Sequence, residues 1–380
     1  MTNQQQSIHF PNAQAEVFVY DNGTAVREAH VMVHATNYEA SFHEQLNAIL
    51  DTYTLLREGQ LNGYDAVFKR YYLSDATNQA DMVYDSDCSG CALSVIQQSP
   101  LDGSKVALWA YMMTDVNPHL LKSGLYEVKH GGYRHLWNGS ASNTASDSER
   151  QMRLLFNEYV MQLAQEGCTL ANNCLRTWIF VRDIDNNYAG VVRARNQIFF
   201  TQGLTTDTHF IASTGISGQQ ANAKALVQMD TYAIDGITPE QIHYLYAPTH
   251  LNRTSDYGVS FERGAYADYG DRRHVFISGT ASIDNKGNIV HPGDIVRQTD
   301  RMLENIAALL GEAECTWDDV CEMTVYLRDI ADYGIVSHMF ADRFPGKPYV
   351  IVLAPVCRPG WLVETECMAV KSIATDNPTF

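Results

Sequence analysis

Residues 347–370 read KPYVIVLAPVCRPGWLVETECMAV, two runs of β-branched and apolar residues on either side of a CRPG turn. This pattern predicts two strands joined by a short connection. The second strand places Glu364 directly after three apolar residues, at 361–363. Such an acid is either a core carboxyl group held by neighbouring backbone N–H groups or a catalytic acid. The second role is possible because burial raises the pKa of a carboxyl group toward neutrality.

The same pair of strands closes a larger unit that occurs three times along the chain. In the last third the predicted order is a strand at 273–279, a helix at 291–311, a strand at 322–329, a helix at 333–344 and the closing pair. Residues 134–234 repeat this order, and LVQMDTYAI at 226–234 matches LVETECMAV at 362–370. Residues 42–114 hold the most degraded copy, in which residues 76–87 replace most of the second helix.

These repeats predict an α+β fold of three tandem units, at residues 1–125, 126–245 and 246–380. Each unit is expected to be a mixed sheet with two helices on one face. Three such units in one chain would cover each other's open sheet edges and form a pseudo-trimer. Because the trimer-forming surfaces would be used within the chain, we expect a monomer.

Composition limits the classes of partner. A net charge of −17 argues against a nucleic-acid binder, which needs a basic face to displace counterions. There is no run of eighteen apolar residues and no secretory leader pattern, so we expect a cytoplasmic protein without a membrane span. Cys88 and Cys91 form the one close cysteine pair and are interpreted as free loop thiols. No phosphate-binding loop, Ser-His-Asp set or metal constellation occurs, so we predict no cofactor and no metal.

Comparison between the copies singles out Glu364. The matching position is Gln228 in the middle copy and, in our alignment, Leu108 in the first. A purely structural role would be served by the same residue in all three copies, so the lone acid favours a proton-transfer role. A core glutamate satisfied by backbone N–H groups remains the alternative.

The last third resembles the Rid/YjgF superfamily, whose members are also called endoribonuclease L-PSP-like or translation-initiation-inhibitor-like. The matching segments are VFISG at 275–279, QT at 298–299, ENI at 304–306, VYL at 325–327 and LVE at 362–364. The resemblance implies ligand clefts between subunits of a trimer. In deaminating members an arginine grips the substrate carboxylate, and the ungapped alignment puts Tyr349 at its place. Tyr349 is therefore a candidate pocket residue, and its identity counts against deamination.

Residues 134–369 are more similar to the chorismatase (FkbO-like) branch of that superfamily. The similarity rests on FERG at 261–264, SGTASI at 278–283, HPGD at 291–294, CR at 357–358 and LVE at 362–364. It implies removal of pyruvate from chorismate or a related enolpyruvyl cyclic carboxylate. Glu364 would be the general acid, and Cys357 beside it would steer the product.

A small anionic cyclic carboxylate needs cations to hold it, and the planar fork of arginine suits carboxylates. Arg195 is the first candidate, in a segment similar to the chorismatase branch, and Arg328 and Arg358 are further candidates. Gly215 is expected to allow close approach of a ligand to the backbone. We expect Arg195 and Glu364 to face one cavity between the middle and last units.

Two other functions fit the same sequence. The first is a non-catalytic Rid/YjgF-like protein that binds a small metabolite in this cleft. The second is a Rid-type deaminase or endoribonuclease L-PSP-like protein with an altered ligand site. Release of pyruvate from chorismate separates the enzyme from the binding protein.

Overall fold

The structure is a computed structural model that describes residues 3–87 and 90–380, so Cys88 of the predicted thiol pair lies outside the described residues. Over those residues the chain folds into three six-stranded sheets with the same strand order. Each sheet has one parallel pair, formed by the strands on either side of the second helix, and otherwise antiparallel pairs. The prediction of an α+β fold built from three repeats is confirmed.

The first unit contains both helices of the repeat. Its elements are β1 (Gln4–Phe10), β2 (Ala13–Tyr20), β3 (Glu28–Ala35), α1 (Phe42–Glu58), β4 (Tyr64–Leu73), α2 (Ala76–Ser86), β5 (Ala92–Gln97) and β6 (Val106–Thr114). The prediction that residues 76–87 replace most of the second helix was wrong. Ala76, Ala80 and Val83 recur at helical spacing and are buried, and this packing stabilises a helix whose other residues are mostly polar.

The middle unit follows the same order with one additional short helix. Its elements are β7 (His119–Leu120), β8 (Tyr126–His130), β9 (Tyr133–Ser142), α3 (Ser148–Gln165), α4 (Leu170–Asn173), β10 (Cys174–Val181), α5 (Ile184–Thr201), β11 (Ala212–Ser217) and β12 (Val227–Asp235). Asp147 caps α3 by accepting a hydrogen bond from the backbone N–H of Arg150. This unit supplies α5 and β11 to the cavity described below.

The last unit completes the pattern. Its elements are β13 (Ile242–Leu245), β14 (Gly264–Asp268), β15 (Arg272–Ala281), α6 (Ile295–Glu312), β16 (Val320–Leu327), α7 (Tyr333–Arg343), β17 (Tyr349–Leu353) and β18 (Val363–Ser372). The edge strands β7 and β13 precede the predicted unit boundaries at 126 and 246. They have two and four residues, too few to give a periodic signal in the sequence.

The registers of the closing strands β6, β12 and β18 align the three units residue by residue. Val106 pairs with Leu73, Val227 with Val181 and Val363 with Leu327. The next residues are Ala107, Gln228 and Glu364, so Ala107 and not Leu108 is the counterpart of Glu364. A slip of one residue reverses the face of a strand, and Leu108 points into the first unit's own core.

The core of the molecule lies where the three sheets meet. Phe68 of the first unit packs against Trp109, Trp137 and Trp178, with ring centroids 5.2 to 6.0 Å apart. Residues of all three units belong to this central cluster, and smaller clusters lie beneath the helices of the first and middle units. None of the helices in the described residues is long and apolar enough to cross a membrane.

Buried charges also join the units. Arg70 of the first unit donates a hydrogen bond to Asp230 of the middle unit at 2.9 Å. Arg176 of the middle unit donates to Glu366 of the last unit at 2.6 Å, and Trp178 donates its indole N–H to the same carboxylate at 2.8 Å. Because an unpaired buried charge is costly, these contacts hold the three sheets in one arrangement.

Candidate active site

A cavity of about 380 Å³ lies between the middle and last units. Five of the seven candidate site residues predicted from the sequence line this cavity, and they come from both units. The middle unit contributes Arg195 from α5 and Gly215 from β11. The last unit contributes Glu364 from β18, with Cys357 and Arg358 from the loop between β17 and β18.

Glu364 is a buried carboxyl group in the wall of this cavity, with 5% of the residue exposed. Burial, reinforced by the negative charge of Glu366, raises the pKa of Glu364 to about 8. The positive charges of Arg263 and Arg176 oppose this shift without cancelling it. The carboxyl group is therefore mostly protonated at neutral pH and can act as an acid.

A bulge on the neighbouring strand makes room for this carboxyl group. Ile277 pairs with Cys367 and Thr280 with Thr365, so two residues of β15, including Gly279, lie opposite one residue of β18. A Cβ atom at position 279 would overlap the carboxyl group of Glu364. A glycine is thus required at position 279 because the Glu364 side chain lies against its backbone.

Hydrogen bonds with residues of the middle unit hold this bulge in place. The backbone N–H of Gly279 donates to the hydroxyl of Thr214 at 2.8 Å, and Arg176 donates to the same hydroxyl at 2.7 Å. Arg176 is the residue paired with Glu366, so the buried charges between the units also position the wall around Glu364.

Arg195 is an almost completely buried cation, with 1% of the residue exposed. Its Nε and Nη2 atoms have no hydrogen-bond partner among the described residues. The guanidinium carbon lies 5.8 Å from the centre of the Phe261 ring. Leaving buried donors unpaired is costly, so this arrangement is typical of a site whose ligand supplies the acceptors.

Arg263 is a second buried cation in the cavity, and sequence reasoning did not select it. Its Nε and Nη2 atoms donate to the carbonyl oxygen of Asn252 at 3.2 and 3.1 Å, and Nη2 donates to the Asn252 side chain at 3.0 Å. These contacts fix the orientation of the guanidinium group. The arginine stands in the FERG segment at 261–264, and its place immediately before a short strand was the signal that could have identified it.

Cys357 is a neutral thiol beside the acid. Burial, together with the charge of Glu364, raises the pKa of Cys357 to about 12. Because the thiolate is the nucleophilic form, this cysteine is suited to shaping the cavity and unsuited to attack. Trp361 closes the same end, donating its indole N–H to the carbonyl oxygen of Ser282 at 3.2 Å, and Arg358 lies 4.8 Å from its ring.

Gly215 allows a close approach, although to a side chain of the same unit. A Cβ atom at this position would lie 2.9 Å from the ring of Tyr188, which also lines the cavity. Gly215 itself lines the cavity, so the expectation that it admits a ligand to the backbone stays a prediction. The glycine admits the Tyr188 ring, and that ring forms part of the cavity wall.

Arg328 and Tyr349 do not line this cavity. Arg328 donates to Asp185 at 2.5 Å and to the carbonyl oxygen of Val356 at 2.8 Å, so its charge joins the start of α5 to the last unit. Tyr349 lines a different cavity, between the first and last units. The alignment put Tyr349 at the position of the carboxylate-binding arginine, whereas this cleft takes its edge strand from the middle unit, where Ser213 is the equivalent residue.

Comparison with known proteins gives relatives for the last unit and a fold for the larger part of the chain. The family model for endoribonuclease L-PSP matches residues 262–371. A RutC family protein of Pyrococcus abyssi (strain GE5 / Orsay) is 34% identical over 99 residues, which are 26% of this chain and 78% of that protein. A crystal structure of chorismatase is similar with a TM-score of 0.63 and 18% identity, over 80% of this chain and 93% of that one.

Proposed function

The chain belongs to the RutC family within the Rid/YjgF superfamily, and on that premise we propose that it removes pyruvate from chorismate or a related enolpyruvyl cyclic carboxylate. The observation that carries this proposal is the meeting of Glu364 and Arg195 in one cavity. The fold shared with chorismatase supports the choice of substrate class.

The acid and the arginine match the two requirements of the reaction. An enolpyruvyl ether becomes reactive when its terminal carbon is protonated, which requires an acid that still holds its proton near neutral pH. Burial gives Glu364 that property. The substrate carboxylates require fixed cations, which Arg195 and Arg263 supply from the two sides of the cleft.

The proposed reaction is a hydrolysis. Glu364 gives its proton to the terminal methylene carbon, which becomes a methyl group, and positive charge develops at the ether carbon. A water molecule adds to that carbon and returns one proton to the Glu364 carboxylate. The resulting hemiketal breaks its bond to the ring oxygen as its hydroxyl proton moves to that oxygen. The products are pyruvate and a ring alcohol, so one water is consumed and the carboxyl group is regenerated.

The test is incubation of the whole chain with chorismate while pyruvate is followed with lactate dehydrogenase and NADH. We expect pyruvate release by the natural protein and its loss in Glu364→Gln. Glu304→Gln, an exposed glutamate on α6, is the matched control and should keep the activity. Absence of pyruvate from the folded natural protein would reject the function, and chorismate binding without turnover would assign a binding role. Unchanged activity in Glu364→Gln would reject the mechanism alone.

A further inference from the structure

A second cavity, of about 330 Å³, lies between the first and last units. We propose that it is a separate binding site for a small organic cation carrying an ammonium group. This second site uses residues outside the candidate active site and is independent of the function proposed for that site.

The second cavity is the structural counterpart of the first, one repeat further round the molecule. Tyr349 on β17 corresponds to Ser213 on β11, since each pairs with the equivalent residue of the preceding parallel strand. On the opposite wall, His34 pairs with Ala107, the residue equivalent to Glu364. The cleft is therefore retained, but the acid of the candidate active site is replaced by an alanine.

The charged side chain at one equivalent position has opposite sign in the two cavities. Glu16 pairs with Met32, which in turn pairs with Trp109. In the last unit Arg263 lies beside the bulge opposite Glu366, the residue equivalent to Trp109. Glu16 thus occupies the position of Arg263, so a site that presents a guanidinium group in one cleft presents a carboxylate in the other.

The charge of Glu16 is not neutralised by a hydrogen-bonded cation among the described residues. The residue is 8% exposed and lines the cavity. Its Oε1 atom accepts from Gln14 at 2.5 Å and from Ser7 at 3.4 Å, and both donors are uncharged. Its Oε2 atom accepts no hydrogen bond from the described part of the chain.

His34 lies nearby, and its charge is balanced by another acid. Its Nδ1 atom is 2.9 Å from Asp102, and its Nε2 atom is 3.1 Å from the carbonyl oxygen of Tyr349. Although burial opposes protonation, the hydrogen bond to Asp102 and the charge of Glu16 raise the pKa of His34 to about 9. His34 and Asp102 therefore form a neutral pair, and Glu16 leaves the group with one net negative charge.

Lys347 also lines this cavity but is engaged elsewhere. Its ammonium group donates to the carbonyl oxygen of Val320 at 2.7 Å, on the neighbouring strand β16. Burial lowers the pKa of Lys347. Among the described residues Lys347 forms no ion pair with Glu16, whose Oε2 atom lies 3.7 Å from Nε2 of His34.

Aromatic rings complete a site for a cation. Tyr38, Tyr333, Tyr349 and Phe344 line the cavity. Ring faces attract organic cations through their quadrupoles, most strongly where water is excluded. An anionic ligand would face the Glu16 carboxylate, whose Oε2 atom accepts no hydrogen bond from the described residues, so the chemistry that suits the first cavity is disfavoured in the second.

The test is calorimetric titration of the whole protein with choline chloride. We expect one choline to bind per chain and its affinity to fall at least tenfold in Glu16→Gln, which keeps the shape of the side chain and removes its charge. Glu364→Gln is the matched control, and its affinity for choline should equal that of the natural protein. Sodium benzoate, an aromatic anion, should not compete with choline.

Two further measurements keep the test decisive. If Glu16→Gln does not fold, as judged by circular dichroism, Tyr349→Leu replaces it and should weaken choline at least threefold. A crystal soaked in tetramethylammonium chloride should show the cation against Glu16. No choline binding, equal affinity in a folded Glu16→Gln variant, or the cation found only in the first cavity would overturn the proposal.

Discussion

The carboxyl group of Glu364 occupies the space that a side chain at position 279 of the neighbouring strand would need. The position of Glu364 therefore depends on Gly279. The glycine lies in a bulge of β15 that places an extra residue opposite Glu366 of β18. The relationship explains how an ionisable side chain is accommodated in an otherwise apolar wall.

Gly279→Ala should displace the acid. The added methyl group overlaps the Glu364 carboxyl, so we expect pyruvate release to fall at least tenfold and the free energy of unfolding to fall by about 1 to 3 kcal/mol. Gly311→Ala is the matched control, because no atom lies near its missing Cβ and it is helical. That change should stabilise the protein slightly. Equal activity in the two variants would show that Gly279 does not position the acid.

The rate of pyruvate release should depend on the proton of Glu364. Because the pKa of Glu364 is raised to about 8, its acid form is present below that pH and is lost above it. We expect kcat/KM for chorismate to be level between pH 6 and 7 and to fall as the pH rises through about 8. A stopped or coupled assay across this range measures it. A rate that rises through pH 8 would indicate a base in place of the acid.

Glu364 should also destabilise the folded protein at high pH. Its pKa is higher in the folded state than the ordinary value of 4.5, so stability falls as the pH rises from 4.5 towards 8. Glu364→Gln removes this penalty, and the middle unit already holds an amide, Gln228, at the equivalent position. We expect the variant to be more stable by about 1 to 3 kcal/mol at pH 9 and nearly unchanged at pH 5.

Urea denaturation of the natural protein and the variant at both pH values measures this difference. Glu322→Gln is a matched comparison, since burial also raises the pKa of Glu322 to about 8. It should show the same pH dependence of stability without loss of pyruvate release. The key quantity is the stability difference between Glu364→Gln and the natural protein. If this difference is the same at pH 9 as at pH 5, the fold does not hold the carboxyl group protonated.

Arg195 should show opposite effects on function and stability. Arg195→Met removes a buried guanidinium whose Nε and Nη2 atoms lack partners in the described residues, so we expect stability to be kept or to rise by about 1 to 2 kcal/mol. The value of kcat/KM should fall at least a hundredfold, mainly through KM, because the substrate carboxylate loses its partner. Arg297→Met, on an exposed position of α6, should change neither property. A large loss of stability in Arg195→Met would assign the arginine a structural role.

The sequence was sufficient to predict the repeats and five of the residues that line the cavity. Glu364 was identified because its counterparts are not acids, and Arg195 because its segment resembles the chorismatase branch; both line the cavity. The bulge at Gly279 was not predictable, since a β-bulge is set by pairing with a distant strand. Arg328 and Tyr349 do not line this cavity. A cleft between units takes its walls from different repeats, and only the spatial arrangement shows which ones.

The buried contact between Arg70 and Asp230 should stabilise the packing of the first unit against the middle unit. Both side chains are inaccessible to solvent, and they belong to different units. Arg70→Met leaves Asp230 buried without its cation, so we expect the free energy of unfolding to fall by about 3 to 5 kcal/mol. The exposed pair of Arg343 and Asp300 offers a matched control, and Arg343→Met should cost less than about 1 kcal/mol. Urea unfolding followed by tryptophan fluorescence measures both. If Arg70→Met costs no more than Arg343→Met, the central charges contribute little to holding the units together, and apolar packing around Phe68 must do so instead.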